Sequence, residues 1–201
     1  VRADLRQAQR EARTANLVVL AVDASGSMGA ARRMEAAKGA VVSLLLDAYQ
    51  RRDRVALVTF AGVDARVALG PTGSVEVARA RLADLPTGGR TPLAAGVRAA
   101  LGVVGRARQR DKDRRPVIVV VTDGRATSGG TDPAADAMAA AAEVRAAGVE
   151  ALVVDAEDGT TRLGLAADLA DAMGARYIAL PDLASDTLAS AVSGFRGTMR
   201  A

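Results

Sequence analysis

Short apolar runs that alternate with segments of helical periodicity are the feature that most constrains the fold of this chain. The run at 17–22 stops at Asp23, in a loop rich in Ser and Gly, and the run at 116–122 stops at Asp123, which Gly124 follows. Apolar runs of this length are typical of strands that are buried on both faces of a parallel sheet. The alternation therefore predicts a doubly wound, Rossmann-like α/β sandwich with right-handed crossovers.

The remaining pattern completes this architecture with four strands and a set of helices. Strands are expected at 55–60, 64–69, 151–155 and 177–180, and helices near 32–51, 74–84, 92–109, 134–147, 164–173 and 185–195. Gly62 and Val63 form so short a link before 64–69 that only a hairpin can result. The sequence thus predicts a mostly parallel sheet of six strands with one antiparallel edge strand. Thr91 and Pro92 are expected to be the N-cap and first residue of the helix that follows them.

Composition excludes several classes of function. The 201 residues contain no Cys and no His, which removes disulfides, thiolate or imidazole metal sites and Ser-His-Asp triads. The formal net charge of +4 does not favour nucleic acid, because the cationic residues are interspersed with Asp and Glu and the few aromatic residues are scattered. No apolar run approaches the roughly 20 residues of a membrane span, so a soluble cytoplasmic protein is expected. We interpret residues 1–15 as an Arg-rich lead-in arm and 16–201 as one domain.

Two predicted strands end in carboxylates, and this pair is the candidate functional site. Asp23 and Asp123 should meet at the carboxyl edge of the sheet, where neighbouring strands lie about 4.8 Å apart. Ser25 and Ser27 alternate with Asp23, and Gly26 is expected to permit the tight turn that aims their oxygens at one point. Oxygen ligands of this kind suit Mg²⁺, with Mn²⁺ or Ca²⁺ as alternatives. A Thr before a Pro is commonly only a helix cap, so local reasoning leaves a ligand role for Thr91 open.

The three segments occur in an order that resembles the von Willebrand factor A domain with its metal-ion-dependent adhesion site. That family carries Asp-x-Ser-x-Ser after its first strand, a Thr in a second loop and an Asp in a third, and the resemblance covers residues 16–197. It implies that Asp23, Ser25, Ser27, Thr91 and Asp123 hold the metal. It further implies that the three hydroxyls are direct ligands and that one or both carboxylates act through water.

A narrower resemblance involves the segments 23–28, 33–39, 49–55, 88–96 and 122–125. Together they are similar to the C-terminal domain of the magnesium chelatase D protein and its cobalt chelatase relatives. This resemblance implies a non-catalytic module that docks an acidic residue of a partner. The partners would be an AAA+ ATPase subunit and a large chelatase subunit, in a complex that inserts Mg²⁺ or Co²⁺ into a tetrapyrrole. The chain itself has no phosphate-binding loop of the Gly-x-x-x-x-Gly-Lys-Ser/Thr type.

Other interpretations remain open at this stage. Arg90 and Arg125 flank the candidate site and could pair with an anionic partner, although exposed arginines are usually only solvated surface. The domain could also serve as an adaptor of another AAA+ assembly of the MoxR type. A haloacid-dehalogenase-like phosphohydrolase is disfavoured because Ser25 stands where that family needs a second Asp. A dinucleotide-binding domain is disfavoured because no Gly-x-Gly-x-x-Gly turn follows the first strand.

Overall fold

The computed structural model of the chain describes residues 16–29, 31–157 and 163–180. Within these residues, six strands form one sheet. The strands are β1 (Leu17–Asp23), β2 (Arg54–Ala61), β3 (Asp64–Thr72), β4 (Pro116–Thr122), β5 (Glu150–Asp155) and β6 (Arg176–Ala179). The α-helices are α1 (Ala31–Gln50), α2 (Val75–Ala83), α3 (Leu93–Arg110), α4 (Pro133–Ala146) and α5 (Leu165–Met173), and a 3₁₀ turn spans Gly26–Gly29.

The sheet has the predicted doubly wound form. Its strand order is β3-β2-β1-β4-β5-β6, with β3 antiparallel to β2 and every other neighbouring pair parallel. The chain winds outward from β1 toward β3, then returns to the other side of β1 and winds outward from β4 toward β6. The winding therefore reverses between β1 and β4, which is where open α/β sheets bind their ligands.

The central strands are buried on both faces, as their apolar runs predict. In β1, Leu17, Val19 and Ala21 face the core covered by α3, α4 and α5. Val18, Leu20 and Val22 face the core that includes α1 and α2. Both cores consist mostly of Val, Leu and Ala side chains, which are small. The helices therefore pack close to the sheet. An added Cβ at Gly96 of α3 would lie 2.3 Å from a ring carbon of Phe60 on β2.

Some element boundaries differ from the sequence prediction. The edge strand β3 continues to Thr72, past the predicted end at Leu69, with irregular pairing against Val55 and Leu57 of β2. Pro71 is tolerated there because an edge strand can lack one backbone donor. The predicted lead-in arm at 1–15 and the predicted helix near 185–195 lie outside the described residues. Among the described helices, none is long and apolar enough to cross a membrane.

Candidate metal centre

Asp23 ends β1 as a fully buried carboxylate whose two oxygens are both hydrogen-bonded. The backbone N–H of Ser25 donates to Oδ1 at 2.9 Å, and the Thr122 hydroxyl donates to Oδ2 at 2.8 Å. Burial raises the pKa of Asp23 from 3.8 to about 6, and the nearby charge of Asp123 adds to the rise against the lowering effect of these hydrogen bonds. The ionised form of Asp23 is thus destabilised, and a neighbouring cation would stabilise it.

The two serines of the first loop bring their hydroxyls together. The Ser25 and Ser27 Oγ atoms lie 3.1 Å apart, with Ser25 fully buried and Ser27 partly exposed. The 3₁₀ turn that begins at Gly26 produces this approach. Arg33 of α1 fixes the turn from outside, since its Nη1 donates to the Ser27 carbonyl at 3.0 Å.

A second loop packs directly on the first. Gly26 N–H donates to the Gly89 carbonyl at 2.9 Å, and Gly88 N–H donates to the Ala24 carbonyl at 2.8 Å. A Cβ at Gly26 would stand 3.2 Å from the Gly89 oxygen. Gly26 is therefore needed for this close contact, and its φ is not among the positive values in the chain. Gly26 thus begins a tight turn, as predicted, and also permits this contact between the two loops.

The second loop holds Thr91 as a buried residue, 2% exposed. The Thr91 N–H donates to the Thr127 hydroxyl at 2.8 Å, and the Thr91 carbonyl accepts from the N–H groups of Thr127 and Ser128. The predicted N-cap role of Thr91 is wrong. Helix α3 begins at Leu93 with Pro92 at its cap and no side-chain cap bond, because the chain enters the helix one residue later than the Thr-Pro pattern suggests.

Asp123 follows β4 and is 1% exposed. Its Oδ1 accepts the Arg125 N–H at 3.1 Å, whereas its buried Oδ2 has no hydrogen-bond partner among the described residues. The nearest cationic atoms to Oδ2 are Arg125 Nε at 3.7 Å and Arg33 Nη1 at 4.0 Å. A buried carboxylate oxygen without a donor is costly, so Oδ2 is a natural point for a cation to approach.

Gly124 allows the chain to turn away at this point. Its φ is +78°, and a Cβ there would meet the Ala166 nitrogen of α5 at 2.3 Å. A glycine is required for two reasons. Residues with a side chain rarely adopt a left-handed φ, and no side chain would fit against α5 at this position.

The sheet register explains how the carboxylates come together. Val22 pairs with Val121, so the next residues of β1 and β4, Asp23 and Thr122, face each other and are joined by their hydrogen bond. Asp123 lies one residue further along. The arrangement therefore places both carboxylates at the switch point, as predicted, with Ser25 and Ser27 on the same loop as Asp23 and Thr91 on the loop bonded to it.

The donor set fits a hard divalent cation. No cluster of three or more His, Cys, Asp or Glu side chains that could hold a metal occurs within the described ranges. Any metal at this edge would therefore need the hydroxyls of Ser25, Ser27 and Thr91 in addition to the two carboxylates. Alcohol and carboxylate oxygens are ligands for Mg²⁺, Mn²⁺ or Ca²⁺, and the buried Oδ2 of Asp123, which accepts no hydrogen bond from the described residues, is consistent with such a group.

The flanking arginines behave differently from each other. Arg125 is half-exposed and reaches Asp123, as expected for a residue beside the site. Arg90 is exposed, and its carbonyl accepts the Gly62 N–H at 2.7 Å, which ties the second loop to the β2–β3 hairpin.

The sequence prediction does not assign two residues of the site to it, Thr122 and Arg33. The apolar run predicts Thr122 only as the last residue of a strand, yet its hydroxyl donates to Asp23 and accepts the Gly124 N–H at 3.1 Å. Its position opposite Asp23 could have been found by aligning the ends of the two strands. Arg33 carried no local signal, since a helix residue six positions from Ser27 reaches the site only through the particular turn between them.

The fold and site define a class of protein. The family model for the von Willebrand factor type A domain matches residues 18–125, which include Asp23, Ser25, Ser27, Thr91 and Asp123. The chain belongs to this family. The fold is also that of the von Willebrand factor domain of the pilus tip protein Mfa5 from Porphyromonas gingivalis. That structure has a TM-score of 0.71 at 12% identity and covers 90% of this chain and 96% of that one.

Within the family, this chain is similar to regions of magnesium-chelatase subunits. It is 44% identical over 187 residues to the magnesium-chelatase 60 kDa subunit of Cereibacter sphaeroides, covering 90% of this chain and 33% of that subunit. It is 52% identical over 191 residues to an uncharacterized protein of Mycobacterium tuberculosis, covering 95% of this chain and 30% of that protein. The chain thus spans about a third of the length of these relatives.

Proposed function

We propose that this domain is a metal-dependent docking module of a chelatase-like complex. Asp23, Ser25, Ser27, Thr91 and Asp123 would hold a divalent cation, Mg²⁺ in the first place, and an acidic side chain of a partner would complete its coordination. The observation that carries this proposal is the pair of buried carboxylates at the switch point. Asp23 and Asp123 repel each other there, and no described residue donates a hydrogen bond to Asp123 Oδ2.

The arrangement supports docking better than catalysis. The cation would supply an electrophilic position for an anionic ligand. The described residues around it contribute hydroxyls, the carboxylates of Asp23 and Asp123, and the guanidinium groups of Arg33 and Arg125. Asp23 accepts two hydrogen bonds within the protein, and Asp123 would be neutralised by the cation and the two arginines, so neither carboxylate would be free to act as a general base. We therefore propose that the domain is not an enzyme by itself.

Arg33 and Arg125 would assist the docking of the partner's acidic side chain. Both guanidinium groups lie within 4.0 Å of Asp123 Oδ2, and both side chains keep some exposure to solvent. With a cation present, Asp123 would no longer depend on them for charge balance. The guanidinium groups could then donate to the carboxylate of the partner.

The similarity to magnesium-chelatase subunits gives the proposal its biological setting. We propose that the partners are an AAA+ ATPase subunit and a large chelatase subunit, and that the assembly works in the cytoplasm to insert Mg²⁺ or Co²⁺ into a tetrapyrrole. The similarity supports a multisubunit setting, because the matched proteins are named as subunits. An adaptor role in another AAA+ assembly is the alternative within the same docking mechanism.

A pull-down with purified ATPase and large chelatase subunits from the same organism tests this function. Wild type should retain a subunit in Mg²⁺ and release it in EDTA, and Ser27→Ala should fail to retain it in either condition. Ser43→Ala is the matched control, because the Ser43 hydroxyl lies on helix α1 and donates to the Gly39 carbonyl of the same helix at 3.2 Å. Equal retention by wild type and Ser27→Ala would refute metal-bridged docking.

A further inference from the structure

A cavity of about 570 Å³ lies at the end of the sheet opposite the candidate metal centre. Four arginines line it, namely Arg54, Arg106, Arg110 and Arg114. Arg54 begins β2, Arg106 and Arg110 belong to the last turns of α3, and Arg114 precedes β4. These positions place the cavity at the amino-terminal end of the parallel strands, so it is separate from the site at their carboxyl ends.

The charge of this cavity is largely unbalanced. Among the described residues that line it, four guanidinium groups and the carboxylate of Asp111 give a net charge of +3. Of the four arginines, only Arg114 forms an ion pair within the described part of the chain, from Nη2 to Asp111 Oδ2 at 3.3 Å. Like charges crowded around one cavity raise its affinity for anions.

Arg114 is held in place within this lining. Its side chain is only 17% exposed, and its Nη2 donates to Asp111 Oδ2 at 3.3 Å. A guanidinium group that is fixed before the ligand arrives loses less side-chain entropy when it binds an anion.

The cavity also has an apolar side. Val103 and Ala107 of α3 are 3% and 5% exposed, and Val67 and Pro71 of β3 complete the wall. A fully ionic ligand would leave this wall unused. A cavity of this size, with an apolar wall and a few convergent charged groups, is typical of a small-molecule site.

We propose that this cavity binds a small organic phosphate that carries two or three negative charges. Guanidinium groups pair with phosphate oxygens through parallel N–H bonds, and a phosphate or diphosphate group matches a charge of +3 better than a single carboxylate does. The apolar wall would contact the organic part of the ligand.

An acidic protein segment is the less favoured occupant. The edge strand β3 borders the cavity, but Pro71 offers no backbone N–H and the β2–β3 pairing is irregular. Addition of a peptide strand at this edge is therefore hindered.

The test uses isothermal titration of the whole chain in EDTA at low ionic strength, so that the metal centre cannot contribute. Inorganic pyrophosphate and ADP are the probes, and a Glu-rich peptide is the competitor. Wild type should bind one equivalent of each phosphate, with ADP bound more tightly. The double variant Arg106→Gln/Arg110→Gln should weaken ADP binding at least tenfold.

The matched control is Arg79→Gln/Arg81→Gln, which removes the same charge from exposed positions of α2. This variant should bind ADP within twofold of wild type, and both double variants should keep the thermal stability of wild type. The absence of saturable phosphate binding, or equal losses in the two double variants, would overturn the proposal. Binding of pyrophosphate without ADP would replace the organic ligand with an inorganic one, and tighter binding of the peptide would assign the cavity to an acidic protein.

Discussion

Replacement of Asp23 by Asn tests two effects of the buried charge, namely its cost to the stability of the fold and its contribution to metal binding. Asn keeps nearly the same shape and an oxygen that can accept the Ser25 N–H, and the Thr122 hydroxyl can rotate to accept from the new amide. The substitution therefore removes the negative charge while leaving the local hydrogen bonds largely intact. In metal-free solution at pH 7 we expect Asp23→Asn to be more stable than wild type.

The size of this effect follows from the pKa of Asp23. Folding raises this pKa from 3.8 to about 6, and at 1.36 kcal/mol per pKa unit the ionised group costs the folded chain about 3 kcal/mol at neutral pH. Because the folded state binds the proton more tightly, the stabilisation from protonated Asp23 is complete below pH 3.8 and is lost as the pH rises through about 6. A chain of this size should gain roughly 6–12 °C in Tm from such a change.

Thermal unfolding in EDTA and in excess Mg²⁺, at several pH values, measures both consequences. In EDTA the Tm advantage of Asp23→Asn should shrink as the pH falls from 7 toward 4. Mg²⁺ should raise the Tm of wild type and leave the Tm of Asp23→Asn unchanged. At a Mg²⁺ concentration of a hundred times Kd, the free energy of unfolding of wild type should rise by about 2.7 kcal/mol. Asp113→Asn, at an exposed turn, should behave as wild type throughout.

Two outcomes would refute the reasoning. If Asp23→Asn is less stable than wild type in EDTA at pH 7, burial of the Asp23 charge is not a cost. If it keeps the wild-type response to Mg²⁺, Asp23 does not serve the metal.

Three further substitutions test other parts of the structure. Arg125→Gln should tighten Mg²⁺ binding by about fivefold, on the order of 1 kcal/mol, because it removes a positive charge 3.7 Å from Asp123 Oδ2 and leaves the bond from Arg33 to the Ser27 carbonyl in place. Unchanged or weaker binding in a calorimetric titration would count against this. Gly96→Ala should lower the free energy of unfolding by about 1–3 kcal/mol in urea, since its Cβ would lie 2.3 Å from the Phe60 ring. Gly105→Ala in the same helix has no atom within 4 Å of the new Cβ, so it should raise the free energy of unfolding by about 0.5–1 kcal/mol; equal effects of the two glycine substitutions would contradict the packing argument.

The sheet could be predicted from sequence because its signals are local. Each buried strand is a short apolar run that ends at a polar residue, and the brief link at Gly62 and Val63 allows only a hairpin. The burial of both faces of β1 follows directly from its unbroken apolar run, since each face must meet a helical layer. The end of β3 at Thr72 is harder to predict, because Pro71 is normally a sign that a strand has stopped.

The site could be predicted only in part, because its contacts are mostly between distant segments. The ends of two apolar runs predict the positions of Asp23 and Asp123, but the bond from Thr122 to Asp23 joins residues that are 99 positions apart. The helix start after Thr91 depends on bonds from the Thr127 region, which no local pattern shows. The approach of Arg33 likewise depends on the three-dimensional path of the 3₁₀ turn.

The central claim is that one divalent cation binds at the carboxyl ends of β1 and β4. Titration with Mn²⁺, followed by the electron paramagnetic resonance signal of the free ion, counts bound ions directly. We expect one ion per chain for wild type, binding at least tenfold weaker for Ser27→Ala, and wild-type binding for Ser43→Ala. An undiminished free-ion signal at millimolar Mn²⁺, or equal binding by wild type and Ser27→Ala, would contradict the account.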